Sequence, residues 1–266
     1  MTRFFRIEHE GRPRHVIAEG NEWHLLEGEL FGVHRPGTAI PSSGHRLLAP
    51  VLPSKIVAVG LNYKDHAAEQ NKPLPPEPLI FLKPSTAVIG PDDPIVIPDG
   101  IGRVDHEAEV GIVIGAHARR VREEDAHKYI FGVTCVNDVS ARDLQRKDVQ
   151  YTRAKGFDTF APLGPCIAAG LDYEPAGGLA VEGWVNGTRR QCSTTRELIF
   201  SIRTLVAFIS SVMTLLPGDI ISTGTPAGIG PIVAGDLVTI KVQGVGELTN
   251  PVALALQHRN ASSAAH

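Results

Sequence analysis

The sequence has 266 residues, of which 42% are hydrophobic and 21% charged, and its formal net charge is −3. These values are ordinary for a globular protein and carry no polyelectrolyte signature, so we do not expect nucleic acid as a partner. No apolar run reaches the length of about 18 residues that spans a membrane, and residues 1–10 lack the apolar stretch of a signal peptide. We therefore expect a cytoplasmic protein without a membrane partner.

The sequence pattern of the chain changes near residue 50. Short strand-like pieces at residues 4–7 and 15–18 are broken by glycine and proline turns, and a proline-flanked connector at residues 47–53 follows them. The apolar run at residues 56–60 then predicts the first buried strand of a larger domain. We predict a small β-rich N-terminal domain over residues 1–50, a main domain over 51–258 and a disordered tail over 259–266.

Further runs rich in valine and isoleucine predict strands along the main domain. They lie at residues 79–82, 95–97, 110–114, 130–136, 179–185, 220–222 and 237–242. Glycine and proline turns separate most of them, which favours a mainly β, mixed α+β fold over regular β-α alternation. Thr194 and Glu197 form a capping-box pattern before apolar residues at helical spacing, which predicts one long packing helix up to Val212.

Three cysteines, Cys135, Cys166 and Cys192, are widely spaced along the chain. None forms a pair at the close spacing of a structural zinc site. We expect buried free thiols, which suit a reducing compartment.

Acidic residues alternate with apolar ones in one predicted strand. Asp105, Glu107 and Glu109 fall on one face of it, because successive side chains of a strand point to opposite sides. Asp138 follows a second apolar run, at the point where that strand opens into a loop. Such loop positions commonly carry ligands.

Three ionised carboxylates about 7 Å apart in a partly buried cleft repel one another by roughly 7 kcal/mol in total at an effective dielectric constant near 20. Protonation would relieve this repulsion, and a divalent cation would relieve it more completely. All-oxygen ligation favours Mg²⁺ or Mn²⁺. The alternative is a solvated acidic face on an edge strand.

His66 and Glu69 follow the first main-domain strand and share a face if this segment is a short helix. A carboxylate bonded to imidazole fixes its tautomer and raises its basicity, as a general base requires. An exposed surface helix is the alternative.

Two later segments contain groups suited to an anionic ligand. Arg142, Gln145 and Lys155 follow Asp138 and would bind carboxylate or stabilise enolate charge, although isolated residues of these types more often form surface ion pairs. The glycine-rich loop at residues 223–230 lacks the features of a nucleotide-binding loop. Its backbone N–H groups near Gly224 and the Thr225 hydroxyl would hold a substrate carboxylate, or the loop is a plain turn.

Taken in order, several segments closely resemble the fumarylacetoacetate hydrolase family. They are Lys-Ile-Val-Ala-Val-Gly-Leu-Asn-Tyr (residues 55–63), Phe-Leu-Lys-Pro-Ser (81–85), His-Glu-Ala-Glu (106–109), Asn-Asp-Val-Ser-Ala-Arg-Asp-Leu-Gln (137–145), Lys-Gly-Phe-Asp-Thr-Phe (155–160), Leu-Pro-Gly-Asp (216–219) and Thr-Gly-Thr-Pro-Ala-Gly (223–228). The matches cover nearly all of residues 51–254. The N-terminal segment resembles the extra cap of bacterial isomerases or decarboxylases of aromatic-acid degradation.

The resemblance implies a mixed β-sandwich or roll, a homodimer, and a mobile segment around His66 that closes over the ligand. It also implies that Glu107, Glu109 and Asp138 hold Mg²⁺ or Mn²⁺, and that His66 and Glu69 form a general-base pair. Lys155 and Gln145 would contact developing negative charge. Arg142, Thr225 and Gly224 would bind the substrate and hold it in place.

The substrate implied is a small 2-oxo acid or 2-hydroxy-dienoic acid. Hydrolysis of a carbon–carbon bond in an acylpyruvate is the expected reaction, because the sequence supplies a water-activating pair. Isomerisation of a 2-hydroxy-dienedioate and decarboxylation or tautomerisation of an oxaloacetate-type acid are alternatives on the same chemistry. A metal-dependent phosphoesterase and a catalytically silent metal-binding module are competitors from other classes.

Overall fold

The computed structural model describes residues 1–255, which form mainly β-structure with short helices. The strands are β1 (Thr2–His9), β2 (Arg12–Glu19), β3 (Glu22–Gly28), β4 (His34–Ile40), β5 (Leu47–Leu48), β6 (Ile56–Gly60), β7 (Leu79–Lys83), β8 (Val88–Ile89), β9 (Ile95–Ile97), β10 (Val104–His106), β11 (Ala108–Ile114), β12 (Ile130–Asn137), β13 (Ser140–Ala141), β14 (Ala161–Ala169), β15 (Ala180–Val185), β16 (Thr188–Thr194), β17 (Ile220–Ser222), β18 (Gly230–Pro231), β19 (Leu237–Val242) and β20 (Gly246–Leu254). The α-helices are α1 (Lys64–Glu69), α2 (Arg142–Asp148), α3 (Thr152–Lys155) and α4 (Ile202–Val212), and 3₁₀-helices cover Ser85–Ala87, Glu123–Tyr129 and Thr195–Glu197. The predicted mainly β fold with several sheets is confirmed. The predicted tail, residues 259–266, lies outside the described residues, as do residues 256–258.

Twelve strands form the main sheet, ten of them in the order β4-β3-β2-β1-β14-β12-β11-β17-β6-β7. Strand β11 lies near its centre, antiparallel to both β12 and β17, and every residue of β11 is buried. Val110 and Ile112 enter the larger of two apolar core clusters, whereas Val113 enters the smaller one. The two faces of β11 therefore serve different layers, as the alternation of side chains requires.

The N-terminal strands are continuous with the main sheet. Strand β1 pairs with β14, so that Thr2 lies opposite Ala169 and Phe4 opposite Ile167. Phe4 also belongs to the smaller core cluster, together with Leu163 of β14. Residues 1–50 thus join the β-sheet and the apolar core of the rest of the chain. That they form a separate domain stays a prediction.

A second sheet, in the order β16-β15-β19-β20-β9, packs on the side of β11 that carries Val110 and Ile112. Ile240 of β19 and Val181 of β15 belong to the same core cluster as these two residues. Helix α4 adds Leu205 to that cluster. On the opposite face of β11, Val113 packs in the smaller cluster, and Glu109 lies at the start of the strand on that same face.

The predicted start of the long helix was wrong. Thr194 caps the short 3₁₀-helix by accepting a hydrogen bond from the backbone N–H of Arg196, and the chain then extends through Leu198. Ser201 is the residue that caps α4, by accepting from Thr204 N. Among the described residues, no helix is both long and apolar enough to cross a bilayer.

The cysteines are free, as expected, but not all are buried. Cys135 and Cys166 have no exposed surface, which confirms the prediction for these two. Cys192 lies on β16 and is exposed, so the prediction was wrong for this residue. It alternates with the buried Gln191, and its side chain therefore points away from the core.

Candidate active site

Three carboxylates meet where β10, β11 and β12 end or begin. Glu107 lies in the break between β10 and β11, Glu109 is the second residue of β11, and Asp138 directly follows β12. One oxygen atom of each lies within 4.8 Å of the others, and all three residues are buried. The structure therefore brings together the three residues that the sequence suggested as metal ligands.

Backbone contacts hold this cluster in register. Ala108 pairs with Asn137 across the β11–β12 ladder. The Asn137 side chain accepts from Glu107 N at 3.0 Å, and Asp138 N donates to Glu107 O at 3.0 Å. The two strand ends are thus tied to each other, so that the carboxylates occupy fixed positions.

Cationic side chains surround two of the carboxylates. Lys155 Nζ donates to Glu107 Oε2 and Asp138 Oδ2, both at 2.6 Å. Lys83 contacts the other oxygen of Asp138, and Arg142 contacts the other oxygen of Glu107. Burial opposes ionisation of Glu107, but the charges of Arg142 and Lys155 outweigh it and hold its pKa well below the usual range.

Glu109 has a different environment. Its Oε2 accepts from Ser222 Oγ at 2.5 Å and from Gly224 N at 2.8 Å, both uncharged donors. Burial, followed by the negative charges of Asp138 and Glu107, raises the pKa of Glu109 to about 8. Glu109 therefore lacks the compensating positive charges that contact Glu107 and Asp138.

A divalent cation fits this donor set. The three groups offer carboxylate oxygens, which are the ligands preferred by Mg²⁺ and Mn²⁺. A dication would also compensate the charge of Glu109 and favour its ionised form.

His66 and Glu69 lie on α1 and form the predicted pair. His66 is 4% exposed, and its Nδ1–H donates to Glu69 Oε2 at 2.9 Å. Glu69 Oε1 in turn accepts from Gly228 N at 3.0 Å, which links α1 to the glycine-rich loop. Gln70 Nε2 donates to His66 Nε2 at 2.6 Å. With Gln70 as the donor, His66 Nε2 is an acceptor.

Arg142 begins α2 and connects several polar groups. Its Nε donates to Asp105 Oδ2 at 2.8 Å, and its Nη1 donates to Gln145 Oε1 at 2.8 Å. Asp105 also contacts Arg103, with distances of 2.6 and 3.0 Å. Asp105, predicted on the same strand face as Glu107, therefore belongs to an arginine-bound site beside the cluster.

The glycine-rich loop approaches the cluster closely. Gly224 has a φ of +99°, and a Cβ at this position would lie 2.8 Å from Asn62 Cβ. Only glycine fits such a position without displacement of its neighbour. The backbone N–H of Gly224 is directed to Glu109, while the Thr225 hydroxyl donates to Ala108 O at 2.9 Å.

One cavity of about 490 Å³ joins most of the predicted site residues. Its walls include His66, Glu107, Glu109, Asp138, Arg142, Gln145, Lys155 and Thr225. Glu69 and Gly224 reach it through their contacts with His66 and Glu109. The individual roles of these residues stay predictions, but their placement around one cavity suits a small polar ligand.

Two site residues were missed in the sequence. Lys83 ends β7 inside a segment that the family resemblance highlighted, and a lysine at the end of an apolar run was the signal available in the sequence. Gln191 lies on β16 and bonds Thr225 Oγ1 at 2.7 Å. No local pattern pointed to it, because its partners are distant in sequence.

Two family descriptions match this chain. Residues 55–253 match the description "Fumarylacetoacetate (FAA) hydrolase C-terminal", and residues 2–50 match "Rv2993c-like, N-terminal". Together they span most of the sequence.

The chain is also similar to individual proteins, including several with solved structures. The chain is similar to a 2-hydroxyhepta-2,4-diene-1,7-dioate isomerase from Mycobacterium marinum, with 42% identity, a TM-score of 0.88, and coverage of 96% of this chain and 99% of that one. It is also similar to a maleylpyruvate hydrolase from Sphingobium sp. SYK-6 in complex with manganese(II) and pyruvate, with 31% identity, a TM-score of 0.79, and coverage of 96% and 100%. The mitochondrial oxaloacetate tautomerase fahd2 of Xenopus laevis is 43% identical over 216 residues, which is 77% of this chain and 68% of that protein.

Proposed function

This chain belongs to the fumarylacetoacetate hydrolase family of enzymes, and we propose that it hydrolyses a carbon–carbon bond in a small 2-oxo acid of the acylpyruvate class. One observation carries the proposal: His66, bonded to Glu69, lines the same cavity as the carboxylates Glu107, Glu109 and Asp138. A water-activating group and a metal-binding group thus face one ligand-sized space.

We propose Mg²⁺ or Mn²⁺ as the cofactor, held by Glu107, Glu109 and Asp138. Support comes from the close approach of their oxygens and from the relative whose structure contains manganese(II) and pyruvate. A bound cation would supply Lewis-acid chemistry, drawing electron density from the 2-oxo group of the substrate.

His66 would act as the general base. Its Nδ1–H is held by Glu69, so Nε2 carries the lone pair that accepts a proton from water. Gln70 now donates to that nitrogen. Since Gln70 also lines the cavity, rotation of its side chain would open Nε2 to a water molecule beside the substrate.

Lys155 and Arg142 would bind the negative charge of the substrate. Burial opposes the charged form of Lys155, but the charges of Asp138 and Glu107 together outweigh it and raise the pKa of the ammonium. The group is therefore protonated and can stabilise developing charge on the 2-oxo acid. Gln145, held by Arg142, would add an amide hydrogen bond on the same wall.

Isomerisation or tautomerisation is the second candidate, favoured by similarity to the isomerase from Mycobacterium marinum and the tautomerase from Xenopus laevis. The same His66 would then move a proton between substrate carbons, or between carbon and oxygen, without water attack. The difference lies in whether a carbon–carbon bond breaks.

Turnover of three acids tests the proposal: an acylpyruvate, oxaloacetate and a 2-hydroxy-dienedioate, each with Mg²⁺ and with chelator, and with products identified by NMR. Metal-dependent release of pyruvate and a carboxylic acid would support hydrolysis. Carbon dioxide alone, or a shifted double bond, would assign a decarboxylase or an isomerase instead. Absence of turnover on all three acids would contradict the proposed substrate class.

A further inference from the structure

Gln191 is a fully buried side chain of the second sheet that reaches the active-site loop. Its Oε1 accepts from Ala108 N at 2.8 Å and from His106 Nδ1 at 3.1 Å. Its Nε2 donates to Thr225 Oγ1 at 2.7 Å and to Pro226 O at 2.8 Å. The amide thus uses two acceptor positions and both N–H groups.

These partners leave one orientation for the amide. Ala108 N–H can only donate, so it must face Oε1, while the carbonyl of Pro226 can only accept and must face Nε2. If the oxygen and nitrogen of the amide were exchanged, its N–H would face the N–H of Ala108, and its oxygen would face the carbonyl oxygen of Pro226. The group that faces Thr225 is therefore an N–H, and Thr225 Oγ1 accepts from it.

The proton and one lone pair of the Thr225 hydroxyl are consequently both occupied by hydrogen bonds within the protein. Its proton is directed to Ala108 O at 2.9 Å, and one lone pair accepts from Gln191. A hydroxyl oxygen has one proton and two lone pairs, so a single lone pair remains. Because Thr225 lines the cavity, a ligand there can bond this oxygen only by donating a hydrogen to it.

We propose that Gln191 is a positioning residue that presents Thr225 as a hydrogen-bond acceptor, so that the site favours a hydroxyl-bearing ligand. The ligand class is a 2-hydroxy acid or the enol form of a 2-oxo acid, in preference to the keto form. This inference rests on the proposed function and refines it. It also reverses the sequence expectation that the Thr225 hydroxyl donates to a substrate carboxylate.

Lactate and pyruvate are the probes, because they share size and charge and differ in whether the 2-position carries a hydroxyl. Their affinities for the Mn²⁺-loaded protein are measured by calorimetry, with both lactate enantiomers. Thr225→Val removes the acceptor with little change in volume. We expect it to weaken lactate binding about tenfold and pyruvate binding by less than about twofold, as for one lost hydrogen bond.

Thr225→Ser keeps the hydroxyl and is expected to retain the preference for lactate. Gln191→Met removes the amide and is expected to reduce this preference, whereas Gln243→Met is the matched control. Gln243 lies exposed in the turn between β19 and β20, and its side chain accepts from Ala180 N at 3.1 Å, so its replacement should leave the preference unchanged.

Equal losses for both acids in Thr225→Val would overturn the acceptor role. A Gln191→Met protein that melts earlier but keeps the wild-type ratio of affinities would overturn the positioning role. Failure of the Mn²⁺-loaded wild type to bind either acid would instead overturn the proposed function on a small 2-oxo acid, and this result is seen before any variant is made.

Discussion

Replacing Lys83 by methionine removes a buried amino group, whose pKa burial lowers against the opposing charge of Asp138, and keeps most of the side-chain volume. Lys83 has no exposed surface, and its ammonium contacts Asp138, which is itself 1% exposed. Loss of one member of a buried ion pair costs about 3–5 kcal/mol, because the remaining charge stays buried with less compensation. At roughly 2–4 °C per kcal/mol, the melting temperature of the metal-free variant should fall by about 6–20 °C.

Added Mn²⁺ should restore part of this loss, because a cation at Glu107, Glu109 and Asp138 would compensate the charge that Lys83 no longer balances. Differential scanning fluorimetry with chelator and with Mn²⁺ measures the metal-induced rise in melting temperature. We expect this rise to exceed that of the wild type by about 5 °C or more.

Lys55→Met provides a matched control. Lys55 contacts Asp219, whose side chain is fully buried, so this is also an ion pair with a buried aspartate. Neither residue lines the active-site cavity or belongs to the carboxylate cluster. The control should lose stability but show the wild-type response to Mn²⁺. Equal metal-induced rises in the wild type and both variants would refute the reasoning that Lys83 and the cation compensate the same carboxylates.

Three further outcomes are expected. Glu109→Gln should weaken Mn²⁺ binding by roughly 100-fold or more in calorimetry, because it removes an anionic ligand, and unchanged affinity would contradict the metal site. His66→Ala should bind Mn²⁺ within about twofold of the wild type and lose roughly 100-fold or more of the hydrolysis rate, whereas full hydrolysis would exclude the general-base role. Ellman's reagent should react rapidly with Cys192 in the native protein, and with Cys135 and Cys166 only after unfolding. Burial raises the thiol pKa of Cys135 and of Cys166 and blocks access of the reagent to them. Rapid reaction of all three thiols in the native protein would contradict this prediction.

Local patterns predicted the parts of the site that depend on local geometry. Alternation along one segment predicted that Glu107 and Glu109 share a face, and spacing of three predicted the His66–Glu69 contact. Asp105 obeyed the same alternation, yet it pairs with two arginines. The strand is broken at Glu107, so Asp105 lies on β10, where it pairs with Ser140 of β13.

Long-range contacts explain what the sequence did not show. The long helix was predicted from Thr194 onward because its apolar spacing suits a helix, but Asn62 bonds the backbone of Ile199 and Phe200 and keeps that segment extended. These hydrogen bonds override local propensity. Gln191 was missed for the same reason, since its four partners lie more than 30 residues away and become visible only when both sheets are assembled.

The ladder between β1 and β14 has a consequence for expression of shorter fragments. Strand β14 pairs with β12 on one side, while β1 covers residues 167–169 on the other. A fragment that starts at residue 51 would leave the backbone N–H and C=O groups of this stretch open along a buried, apolar strand. Exposed strand edges of this kind pair with other chains. We therefore expect a fragment without the N-terminal strands to aggregate more readily than the full chain.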